Sequence, residues 1–165
     1  MALVIEDGSG KADADSFATA AELAQFAVDY GFTVPAGTAD QESLLRRAGV
    51  EMWRFQWVGN QYHDEQGLPW PRYYTIRRGF IADGASLPRA IKLGQMALAC
   101  EIYQDDTDPP EARTGAVTRE RVEGAVDVQY AEITSYKGKP VSGRQSDGFF
   151  SKYTLGQYSG KLVRA

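Results

Sequence analysis

Apolar residues recur at helical intervals in three stretches of this chain and at alternate positions in one. In the first stretch, Leu23, Phe26, Ala27 and Tyr30 share a face. Thr19 and Glu22 before them have capping-box spacing, and Gly31 after them suits a left-handed stop. A helix over about 19–30 is predicted. In the second stretch, Thr38-Ala-Asp-Gln41 repeats the capping spacing, and Leu45, Ala48, Met52 and Phe55 form the apolar stripe. Val50, Trp53 and Trp57 make a second stripe, with Arg46, Arg47 and Arg54 between the two. A helix with two apolar faces sets one on its own core and the other toward a neighbour. The pattern leaves open whether Trp53 and Trp57 close the core or form that outer contact.

The third stretch organises the rest. Pro88 suits a first helical turn, and Ser86 before it is placed to cap the open donors. Ile91, Leu98 and Ile102 then lie on one stripe, and Leu93, Met96, Cys100 and Tyr103 on another. Only Lys92, Gln95 and Glu101 interrupt, which predicts a helix over about 88–104 that is enclosed by its neighbours. Pro109-Pro110 forbids continuation, and the acidic run Asp105-Asp106-Thr107-Asp108 before it reads as a solvated turn, since it lacks the spacing of a calcium loop.

Period two appears in Val126, Val128 and Tyr130, with Glu123-Gly124 as a turn, so a β-hairpin over about 117–131 is expected. Ala2–Ile5 is a short edge strand or extended arm, closed by the turn signal Glu6-Asp7-Gly8. Residues 58–83 form a long loop in which Trp70, made extended by Pro71, plugs the core. The fold class is therefore mainly α, a small helical bundle around one buried helix, with a hairpin and extended N- and C-terminal arms.

Charge changes this picture at the C-terminal end. From residue 133 onward, Lys137, Lys139, Arg144, Lys152, Lys161 and Arg164 face Asp147 alone, giving +5 and leaving −9 on the rest of a chain whose net charge is −4. The expected division is a helical unit over 1–132 and a glycine-rich basic docking arm over 133–165. Phe149, Phe150, Tyr153 and Tyr158, flanked by Lys152 and Lys161, are its candidate interface residues, together with Trp53 and Trp57.

Candidate chemistry is absent. The chain has one cysteine, Cys100, in an apolar helix, and one histidine, His63, beside Asp64 and Glu65 with no partner motif. No phosphate loop, nucleophile elbow or paired carboxylate appears, so no catalytic residue, metal or cofactor is expected. No apolar run approaches the roughly 20 residues of a membrane span, and the first residues lack a signal-peptide pattern, pointing to a cytosol.

Several of these pieces occur in a familiar order. VIEDGSG, then ADADSFAT and a helix, LLRRAGVEM, Trp70-Pro71-Arg72, Asp83-Gly84, Pro88 opening the long helix, and RERVEGAVDVQYA together resemble the bacteriophage head-tail connector (adaptor) proteins. Many of these carry the description DnaT-like ssDNA-binding. The resemblance spans about residues 3–131 and departs from the family at the basic C-terminal end. It implies a non-enzymatic virion protein, assembled in the host cytoplasm, that forms a closed ring of about twelve copies at the neck. The implied partners are the portal and the next neck or tail component, a stopper or tail terminator, with double-stranded DNA passing through the lumen unbound. The alternative is a single-stranded DNA-binding accessory protein, for which Tyr73, Tyr74, Arg77, Arg78 and the Tyr and Lys residues of the C-terminal segment are candidates.

Overall fold

The structure is a computed structural model and describes residues 2–75, 81–83, 86–108, 117–122, 126–130 and 144–155. It is mainly α. Helices α1 (Ala20–Tyr30), α2 (Thr38–Glu51) and α3 (Arg89–Thr107) pack on one another, and a short α4 (Gln145–Phe150) lies against α3. Strands β1 (Asn60–Gln61), β2 (Arg72–Thr75) and β3 (Ile81–Asp83) form a small antiparallel sheet in that order, and β4 (Val117–Val122) pairs with β5 (Val126–Tyr130) in a hairpin. The stretch 58–83, expected as a loop, thus carries a sheet whose strands are too short to show alternation.

α1 begins as its spacing predicts. The Glu22 N–H donates to Thr19 Oγ1 at 3.2 Å, the Thr19 N–H donates to Glu22 Oε2 at 2.9 Å, and Gly31 closes the helix at φ 73°. The same reasoning fails at α2. Gly37 occupies the cap position with no side-chain bond, while Gln41 reaches back to donate to Pro35 O at 2.7 Å. Nor does Ser86 cap α3, whose N-cap is Pro88 itself. The acidic run 105–107, read as a turn, forms the last turn of α3, with Asp105 paired to Arg144 and Asp106 to Arg47.

α3 is enclosed, as its seldom-interrupted apolar pattern predicts, with every residue from Gly94 to Ile102 buried. Two of its polar interruptions, Gln95 and Glu101, are internal partners, while Lys92 pairs with Glu22 at the surface. Gln95, 0% exposed, accepts from the Phe17 N–H at 2.8 Å and the Ser16 hydroxyl at 3.1 Å, and donates to Leu45 O at 3.0 Å. Burial, with Glu101 beside it, pushes the Cys100 thiol up to about 12.

The N-terminal arm folds back on its own chain. Ile5 bridges Ser16 in parallel, and the buried Glu6 carboxylate accepts backbone N–H bonds from Gly8, Gly10 and Lys11 at 2.8–2.9 Å, with Gly8 at φ 102°.

The largest departure from the sequence reading lies at 144–155. Expected in an arm outside the core, this segment closes it. Phe150 is 1% exposed, 5.0 Å between ring centroids from both Phe55 and Trp57. Phe149 and Tyr153 pack on the same cluster. The Ser146 N–H and hydroxyl donate to the buried Glu101 at 3.0 and 2.6 Å, and the backbone N–H groups of Val58 and Leu155 bond Tyr153 O and Gln56 O. These aromatics have no apolar partner nearby in sequence, but the end of α2 and the middle of α3 supply one in space.

Candidate functional site

The Trp70-Pro71-Arg72 motif is structural. Trp70 is fully buried, edge-on to Trp57 at 5.9 Å and to Tyr153 at 5.5 Å, and its peptide bond to Pro71 is cis. Gln66 holds the approach to it, accepting from the Tyr62 and His63 N–H groups and donating to Leu68 O and Pro71 O. The Arg72 guanidinium donates to the carbonyls of Val58, Gly59 and Pro69 at 2.6–3.2 Å. Burial lowers its pKa, and three backbone carbonyls hold the guanidinium in place, so it has little freedom to reach a phosphate.

Beside this clamp, β2 and the two residues that follow β1 carry an aromatic strip. Tyr73 is 44% exposed and lies 5.2 Å from Tyr62 between ring centroids, and Tyr62 lies 4.4 Å from exposed His63. The strip offers ring faces of the kind on which bases stack. Of the other residues in this candidate group, the side chain of Tyr74 and all of Arg77 and Arg78 lie outside the described residues.

A second surface runs along the outer side of α2. Val50, 70% exposed, lines a shallow hollow of about 310 Å³ with Arg46, Arg47, Glu51 and Ile102, and Trp53, 45% exposed, follows one turn later with its indole N–H toward Gly67 O. Trp57, assigned to the same stripe, is not on it. The helix ends at Glu51, and a 3-10 turn over Met52–Arg54 rotates the chain so that Trp57 enters the core, donating to Met52 O at 2.8 Å. The cations here have carboxylate partners. Arg46 meets Asp15 and Glu42, Arg47 forks onto Asp106, and Arg54 meets Glu51.

The candidate interface residues are therefore dispersed. Trp53 is on the surface, Trp57 and Phe150 are core, and Phe149 and Tyr153 are half-buried. Lys152 stands 5.7 Å over the Tyr153 ring, and Tyr158 and Lys161 lie outside the described residues. Asp83 pairs with Tyr73 in the sheet, and Gly84 is not among the described residues. Sequence reasoning passed over Gln95 and Glu101 as interruptions. Their signal was a polar side chain on an otherwise apolar helix, which burial turns into a required partner. Among the described residues no group of three His, Cys, Asp or Glu side chains is placed to hold a metal, and no helix is long and apolar enough to cross a membrane.

Compared with known proteins, the chain matches over residues 1–165 the model of a family described as "Putative DnaT-like ssDNA binding protein". No curated protein and no solved structure matches it.

Proposed function

The chain belongs to the DnaT-like ssDNA-binding family, and on that premise we propose that it works by binding rather than catalysis, with single-stranded DNA as its first ligand. The whole-length family match carries this reading. The strip of half-buried Tyr62 with exposed His63 and Tyr73 supports it as a stacking platform. The ion pairs that engage Arg46, Arg47 and Arg54, on a body of −9, limit phosphate neutralisation. Binding by stacking on such a surface is weak and depends shallowly on salt. Fluorescence anisotropy of a labelled oligothymidine across a salt series tests it. Expected are binding at low salt, a shallow slope, and about 1–3 kcal/mol lost in Tyr73→Ala. Absence of binding at low salt overturns the reading.

A second reading is favoured by the exposed Val50–Trp53 pair, an apolar patch that suits a protein partner. On it the protein is a head-tail connector in the virion neck, ringed beneath the portal, joined to the next neck or tail component and extending the DNA channel. The sequence resemblance and the acidic body, which would repel rather than hold passing duplex, support it. Mixing with portal and imaging the product by negative stain tests this reading. A ring on the portal, lost in Trp53→Asp, is expected, and failure to associate overturns it.

A further inference from the structure

Segment 144–155 grips the core through contacts that a second copy would offer unchanged. Phe150 fills the notch over Gly94 between Phe55 and Trp57. Ser146 bonds Glu101, Arg144 meets Asp105 at 2.7 Å, and the backbone at 153–155 pairs with that at 56–58. The segment is joined to α3 only through residues 109–143. With the β4–β5 hairpin folded on itself, the residues flanking the hairpin can reach on the order of 70 Å when extended, against a radius of gyration of about 15 Å for a domain of this length. Charge suits the same contact between chains, since the segment carries Arg144 and Lys152 against Asp147 and Arg144 meets the acidic end of α3 at Asp105.

We propose that the groove formed by α3 and residues 55–58 accepts segment 144–155 of a second copy, so that chains associate by exchanging it. In dilute solution a chain's own segment, held at high effective concentration, fills the groove. Where copies are crowded together, exchange links them without any new contact. Neither DNA nor a portal enters this association, so its failure is separate from that of either reading above.

The test mixes an Asp105→Cys chain with an Arg144→Cys chain, refolds them together at high concentration and treats them with a short bismaleimide. A covalent dimer several-fold above that of either chain alone, lost when Phe150→Ala is added to the Arg144→Cys chain, is expected. The double variant on one chain is the control for reach. If it closes internally while the mixture gives no excess dimer, the proposal is overturned. Light scattering on the unmodified chain, refolded over a wide concentration range, decides the matter if the reagent bridges neither sample. Mass rising with concentration is expected, and a protomer mass throughout overturns the proposal.

Discussion

Gly94 lies directly beneath Phe150, so close that a Cβ built on the glycine would stand 2.7 Å from the Cδ1 and Cζ atoms of the ring. At an unobstructed mid-helix site Gly→Ala stabilises by about 1 kcal/mol. Here the methyl group must push Phe150 out of its notch, and overpacking of this kind costs about 1–3 kcal/mol. Gly94→Ala should therefore lower the urea midpoint, and the same change in a Phe150→Ala background should raise it. A double-mutant cycle in urea reads the reversal.

Deleting residues 144–165 should lower the thermal midpoint of the free protomer clearly. Loss of a buried Phe alone costs about 3–5 kcal/mol, and deletion also leaves the Glu101 carboxylate without its two Ser146 donors. A free docking arm would leave the midpoint unchanged, so calorimetry on the two chains separates the possibilities.

Gln95→Leu should cost about 1–3 kcal/mol, although it puts an apolar side chain at a fully buried position of α3. The leucine fills similar space but strands the Phe17 N–H, which now donates to Gln95, while the Leu45 carbonyl loses only its second donor and keeps its place in α2. Faster hydrogen exchange at the Phe17 amide, alongside a lower denaturation midpoint, is the expected signature.

The Arg47 fork onto Asp106, at 2.5 and 3.1 Å, holds that carboxyl below its ordinary value. Because the folded pKa is the lower one, the contribution to stability is present above the usual aspartate range and is lost as pH falls through the lowered value. Both groups are solvent-exposed, so the effect is small. Carboxyl titration by NMR should show the Asp106 midpoint moving up in Arg47→Ala.

Local signals were legible in the sequence where no distant group competed. Thr19 and Glu22 cap each other within one turn, and α3 has too few polar positions to face water. Thr38 carries the same spacing, but Gln41 found the Pro35 carbonyl, a partner that the capping pattern ignores. Trp57 lost its helical phase because the helix stopped at Glu51. The role of Phe150 depends on a notch at Gly94 far away in the chain, and a helix of six residues has too little periodicity to announce such a contact. The exposed candidates were partly legible. Tyr73 and Trp53 could be named, but not the carboxylates that engage the arginines around Trp53.

The three tryptophans divide into two enclosed rings and one open one, which makes the protein an optical reporter of its own state. Trp57 and Trp70 stand edge to face at 5.9 Å with Tyr153 against the latter, while Trp53 meets solvent. Acrylamide in solution reaches Trp53 first, so a ligand that shields the outer side of α2 would suppress quenching and leave the blue-shifted emission of the buried pair intact. Release of segment 144–155 would do the reverse, reddening that pair through loss of Tyr153 and Phe150. The two events are thus distinguishable by colour in an unlabelled chain.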